Sequence, residues 1–171
     1  IQAGADIALQ AAEKGYLVIT YEQAGYGERL ERHLDKKSKY RTIDFANHLL
    51  LLGKTLMGKG ATEISSVIDR LILKNNILNI NINKNKIYLY GHSSGGTLVQ
   101  FAAAMDIRVK GVLASGSVGP IRETVGARGV DGGDSIIPAL LNWLDTEDIL
   151  ALIAPRTFVG LSGDKDHIFP F

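Results

Sequence analysis

No cysteine occurs in the 171 residues. That excludes disulfides, thiolate nucleophiles and cysteine metal sites, and leaves oxygen and nitrogen groups to carry any chemistry. No apolar run reaches the roughly 18–20 residues needed to span a bilayer, and the N-terminus has neither a basic leader nor a signal-type apolar block. A strong charge of one sign is missing too. The 19 Lys and Arg stand against 18 Asp and Glu, interleaved along the chain, so the electrostatic footprint of a nucleic-acid binder is lacking. There is no initiator methionine, Ile1 opens directly into an amphipathic pattern, and Phe171 follows Pro170. Both ends read as cuts inside a larger domain, which leaves the compartment open. What is present, 46% hydrophobic and 22% charged residues, is the composition of a single globular domain, here residues 1–171, with a substantial core.

Residues 5–14 place Ile7, Leu9 and Ala11-Ala12 among good helix formers, and Gly15 stops the helix. Tyr16 to Tyr21 is β-branched, aromatic and mostly apolar, the pattern of a strand buried on both faces. After a charged stretch to Arg41, two helices are expected. The first carries Ile43, Phe45, Leu49, Leu50 and Leu56, and the second runs from about Thr62 to Leu73. Asparagines alternating with Ile77, Leu78, Ile80 and Ile82 between Asn75 and Asn85 read as a solvated connection. A strand, Ile87 to Tyr90, enters a glycine-rich turn and a helix with Leu98, Phe101, Ala102 and Met105. Gly111 to Ser115 is a further strand, Gly116 to Asp145 is irregular, Thr146 caps a short helix, and Thr157 to Leu161 is the last strand. Strands alternating with helices predict an α/β domain: a mostly parallel sheet with helices on both faces.

The chemistry concentrates in Gly91-His92-Ser93-Ser94-Gly95-Gly96. Gly-x-Ser-x-Gly between a strand and a helix is the setting of a nucleophile elbow. There Ser93 occupies a strained turn, and residues two before and two after it lack side chains so that strand and helix can pass closely. Ser93 is the candidate nucleophile, and the backbone N–H of Ser94 at the helix N-terminus is one candidate oxyanion donor. A serine hydroxyl needs a histidine to take its proton and an acid to orient that histidine. Asp164 and Asp166, on the loop after the last strand, both qualify as the acid. His33 and His48 precede the serine, His92 is locked beside it, and His167 adjoins the proposed acid. None of them suits the role of base, and each reads as a surface, packing or substrate-side residue.

Several blocks in order resemble the acetyl xylan esterase-like and dienelactone hydrolase-like branch of the α/β-hydrolases. They are Tyr21 to Arg29 with its aromatic-Gly-Glu-Arg turn, Leu52 to Gly58, the Ser93 elbow, Asp148 to Arg156, and Gly163-x-x-Asp166-x-x-x-Pro170. The resemblance covers nearly the whole chain. It implies an α/β-hydrolase fold incomplete at both ends, Ser93 as nucleophile, and Asp166 rather than Asp164 as acid. It also implies a triad histidine beyond Phe171 and a second oxyanion donor before Ile1, so that these 171 residues alone are expected to turn over little substrate. Glu22 stands where the family usually has Asp.

The activity so implied is hydrolysis of a small-molecule or carbohydrate ester, with no metal or organic cofactor. Two alternatives stay open: a prolyl oligopeptidase-type serine peptidase, which shares the Gly-x-Ser-x-Gly-Gly elbow, and a non-catalytic or truncated hydrolase-like binding protein. Among the remaining features, Glu28 and Arg29 read as substrate-side residues or as a structural ion pair. Asp131-Gly132-Gly133-Asp134 reads as a plain turn rather than as a cation site, since two carboxylates bring no further oxygen ligands, and Trp143 with Leu140, Leu141 and Leu144 reads as core packing or as the cap of an acyl pocket.

Overall fold

The computed structural model describes residues 6–30, 41–74, 82–127 and 135–169. At its centre β1 (Ile87–His92), β2 (Val109–Ser115) and β3 (Thr157–Leu161) form a parallel sheet in the order β1-β2-β3, so the chain is α/β. The register pairs Gly91 with Ala114 and Ala114 with Gly160, and it aligns the carboxyl ends of all three strands on one edge.

One face of the sheet is covered. Helix α4 (Ser94–Met105), which links β1 to β2, packs on both strands, and α3 (Leu56–Lys74) packs on α4. Met57, Ala61, Ile64 and Ile68 recur at helical spacing along α3, and they meet Leu98, Val99, Ala102 and Ala103 of α4 in the buried core with Val109, Val112 and Ala114 of β2. Small residues set the helix spacing: a Cβ on Gly60 would lie 2.8 Å from Leu98 Cδ1. A second, smaller core joins α2 (Arg41–Leu51) to the 20s loop through Ala24, Phe45, Ala46, Leu49 and Leu56.

Five expectations change. Tyr16 to Tyr21 forms no ladder strand and is largely exposed. Among the described residues no strand pairs with it; the Tyr16 N–H donates to Ala11 O at 3.1 Å, and the Tyr16 ring meets that of Tyr88 edge-on at 6.4 Å. Among the described residues, helices cover only one face. The opposite face, with Tyr88, Tyr90, Val159 and Leu161, is exposed among the described residues. The first expected helix stops at Leu51 because Gly53, at φ +69°, turns the chain, so Leu56 belongs to the next one. That next helix starts six residues before Thr62, with the Thr55 hydroxyl accepting from the N–H of Gly58 at 3.0 Å. Finally, the cap of α5 (Thr146–Ala151) is Asp145, not Thr146. Helix α1 (Ile7–Glu13), capped by Asp6, agrees with expectation. The asparagine-rich connection lies mostly outside the described residues.

The sheet and helices are tied at their amino-terminal edge by two arginines. Arg156 Nη1 donates to the carbonyls of Ala103 (2.7 Å), Asp106 (3.0 Å) and Val109 (3.1 Å), while its Nε and Nη2 donate to Ile153 and Leu152. One planar guanidinium thus satisfies carbonyls left over where α4 ends, β2 begins and α5 ends. Asp106, 7% exposed, accepts from Arg108 Nε at 2.8 Å and Nη2 at 2.6 Å and from Ser65 Oγ at 2.9 Å.

The hydrogen-bonded Arg108 guanidinium lowers the Asp106 carboxyl from 3.8 to about 2. Because the folded-state value is the depressed one, this stabilisation is complete above pH 3.8 and is lost as the pH falls through about 2. Its size is about 2 kcal/mol. Asp106→Asn should therefore destabilise the protein by that order at pH 7 and flatten the loss of stability between pH 4 and pH 2 in denaturant titrations. A variant whose acid profile matches the parent's would refute this role for the pair.

Candidate active site

The backbone of Ser93 has φ 53° and ψ −126°, a region non-glycine residues seldom occupy, and its residue is exposed at the end of β1. The strain is held by bonds on both sides: Ser93 N–H donates to Ser115 O of β2 at 2.8 Å, and Ser93 O accepts from Thr97 N–H at 3.1 Å. The expected requirement for glycine holds at Gly91, where a Cβ would collide with the Gly95 carbonyl and lie 2.7 Å from Gly96 N. It does not hold at Gly95, where a Cβ meets nothing within 4 Å. The second contact glycine is Gly96, whose missing side chain leaves room for Ser117 Oγ. Ser94 begins α4, so its N–H lies in the first turn of the helix.

Asp166 arrives from the loop after β3. Its Oδ1 accepts from Ile168 N–H at 2.8 Å and Phe169 N–H at 3.0 Å, and these backbone donors hold the carboxyl below its ordinary value. Its Oδ2 points at Gly116, 3.9 Å from where a Cβ would stand, and His92 Cε1 lies 3.2 Å from that same point. Gly116 follows β2 and donates its N–H to Leu161 O of β3. Ser93 is thus bonded to Ser115, and the Asp166 carboxylate lies near the next residue, Gly116, at the carboxyl edge of the sheet. Asp164 is exposed. His92 is exposed as well, with Nδ1 3.2 Å from Ser115 Oγ. His48 and His167 are exposed, and His33 lies outside the described residues.

A cavity of about 190 Å³ opens beside Ser93 and Ser94. The α4 side of its wall includes Thr97, Gln100 and Phe101, and the opposite side includes Ile121, Val125, Ile149 and Phe169. Two polar residues that the motifs did not bring forward set this wall. Buried Gln100 donates its amide hydrogens to Gly96 O at 3.2 Å and Ser117 O at 3.0 Å, which locks the first turn of α4 to the chain after β2. Buried Asp145 accepts from Ile121 N–H at 2.6 Å, Arg122 Nε at 2.6 Å and Thr146 N–H at 2.7 Å, and so binds the short π-helical turn Arg122–Ala127 to α5. Its carboxyl is held below the usual range by those donors, against the opposing effect of burial. The only hint of Asp145 in the sequence is its position three residues before Asp148, with which it forms a capping box.

Other candidates resolve differently. Arg29 makes a two-pronged ion pair with Glu63, at 2.9 and 2.6 Å, and donates to Glu22 O at 2.8 Å, the structural one of its two readings. Glu22 accepts from Glu28 N–H at 2.8 Å and so closes the turn that follows it. Trp143 meets neither expectation. It is 83% exposed and absent from the cavity wall, because the 3₁₀ turn Leu140–Asn142, entered through Ala139 at φ 63°, leaves the ring outside. Asp131 and Asp134 lie outside the described residues, among which no group of three or more His, Asp or Glu side chains is placed to hold a metal ion.

The two motif glycines separate cleanly in a mutational test. Gly91→Ala forces a Cβ into the Gly95 carbonyl and should cost at least about 2 kcal/mol. Gly95→Ala enters open space in a helix and should change stability by no more than about 1 kcal/mol. Thermal denaturation of the pair checks this, and equal losses would contradict the packing described.

No family model matches the chain. It is similar to a curated protein of Bacillus subtilis (strain 168) named "Putative hydrolase YtaP", with 25% identity over 158 residues. The aligned region covers 91% of this chain and 48% of that protein, so the chain spans about half the length of the relative it matches.

Proposed function

We propose that this chain carries the nucleophile and the acid of a serine hydrolase acting on carboxylic esters. The observation that carries the reading is the strained, exposed Ser93 at the start of α4, on the same sheet edge as Asp166. The likeness to a protein named as a hydrolase supports the broader class.

In the proposed reaction Ser93 Oγ attacks the ester carbonyl carbon while an imidazole takes the hydroxyl proton. The carbonyl oxygen gains negative charge and is met by the N–H of Ser94, where the N-terminus of α4 favours an anion. The bond to the alkoxy oxygen then breaks, the imidazolium returns its proton to the departing alcohol, and water repeats the sequence on the acyl-serine to release the acid. Asp166 orients the imidazole and stabilises its charged form. We assign that imidazole to a residue outside those described. His92 is the immediate neighbour of the nucleophile and is turned to Ser115, and the relative that this chain matches is about twice as long.

Treating the full-length gene product with a fluorophosphonate probe and measuring intact mass tests the assignment. One adduct per chain is expected, absent in Ser93→Ala. Asp166→Asn should lower kcat/KM by about 10³–10⁴, with Asp164→Asn within about threefold of the parent. Labelling that persists in Ser93→Ala would sink the reading.

A further inference from the structure

We infer that the cavity beside Ser93 is an acyl site for an uncharged, apolar group of about four to seven carbons, near the size of a benzene ring. This rests on the serine-hydrolase reading above and adds to it the part of the substrate that the chain recognises.

Size sets the first limit. At about 190 Å³ the cavity is close to the roughly 150 Å³ apolar cavity that accommodates benzene, and it is smaller than the roughly 300–1,000 Å³ typical of sites for larger ligands. An acetyl group underfills it, and a long fatty acyl chain exceeds it.

Charge sets the second limit. None of the described residues lining the cavity is acidic, basic or histidine. The nearest guanidinium in the wall segment, Arg122, is bound to Asp145 and Glu147. An acyl group bearing a carboxylate would lose its hydration with no cation to receive it.

Polarity sets the third. Three of the polar side chains in the wall have their hydrogens engaged within the protein. Gln100 spends both amide hydrogens on Gly96 O and Ser117 O, the Thr124 hydroxyl donates to Pro120 O at 3.0 Å, and the Thr146 hydroxyl donates to Gly119 O at 2.8 Å. A hydroxyl donor has one hydrogen and a side-chain amide has two, so these groups keep none for a ligand. Phe101, Ile121, Val125, Ile149, Ile168 and Phe169 supply its apolar surface. The segment carrying Ile121 and Val125 is pinned to α5 by Asp145, so the cavity is shaped before substrate arrives.

A series of p-nitrophenyl esters, assayed on the full-length gene product alongside fluorophosphonate labelling, tests the inference. With Ser93 labelled, kcat/KM should rise by roughly two- to fourfold per methylene from acetate to hexanoate, as the acyl chain is buried. Benzoate should be accepted, and dodecanoate should do no better than hexanoate. The hydrogen succinate ester should fall at least about tenfold below butanoate. Val125→Phe, which fills the apolar end, should move the optimum towards acetate without abolishing labelling. A labelled enzyme that prefers acetate, that ranks all chain lengths alike, or that takes the succinate ester as readily as butanoate overturns the acyl-site inference and leaves the hydrolase reading standing. An enzyme that is neither labelled nor active overturns both.

Discussion

Everything at the candidate site depends on how closely the end of β1 passes the start of α4. Gly91 and the Gly95 carbonyl occupy the same small volume, and no side chain fits between them. That approach forces the one-residue reversal at Ser93 and drives its backbone to positive φ. The cost of such strain is on the order of 1–3 kcal/mol, and it persists because surrounding bonds over-determine it. Ser115 O holds the amide of Ser93, Thr97 N–H holds its carbonyl, and Gln100 fastens the next turn of the helix to Ser117. The reward is positional. The exposed Ser93 stands at a fixed point at the N-terminus of α4.

The opposite edge of the sheet shows how the rest of the fold keeps that geometry in place. Arg156 gathers carbonyls from the end of α4, the start of β2 and the end of α5, while Asp106 and Arg108 add Ser65 and Asp69 of α3 to the same corner. With α4 fixed at its carboxyl end by these polar bonds and along its length by Leu98, Val99, Ala102 and Ala103, its amino end cannot drift away from β1. Buried polar groups are costly unless bonded, and among the described residues no buried side-chain nitrogen or oxygen lacks a partner. The polar clamp and the apolar core therefore reinforce each other.

How much of this was legible in the sequence varied with how local the cause was. The parallel strands after Lys86, the helix at Ser94 and the elbow glycine at Gly91 follow from neighbours within a few residues, and they form where the pattern puts them. Gly53 is equally local, but the leucines at 49–52 and Leu56 carry the apolar pattern across it. The choice between Asp145 and Thr146 as cap turned on a distant contact. Thr146 spends its hydroxyl on Gly119 O, 27 residues away, which leaves Asp145 to cap. The segment from Tyr16 to Tyr21 has the composition of a buried strand, but a strand is made by its neighbours, and among the described residues it has no paired one. Gln100 and Asp145 carry no motif at all. Their importance comes from backbone groups that only the folded chain brings to them.

The carboxyl edge also separates the two aspartates that are candidates for the proposed acid. An acid that orients an imidazole must offer a fixed acceptor oxygen and must stay ionised. In Asp166 the two demands fall on different atoms. Oδ1 takes the N–H groups of Ile168 and Phe169, which lowers the carboxyl's proton affinity and fixes its plane. Oδ2 is thereby aimed at Gly116, where the absence of a side chain leaves space along the edge that also carries Ser93. Backbone amides are suited to this, since they hold the charged form without bringing a competing cation to the site. Asp164 is exposed two residues earlier on the same turn. The tight loop from Gly163, closed by Asp166 N–H on Gly163 O at 3.1 Å, thus holds the Asp166 carboxylate in place, although the two aspartates are chemically identical.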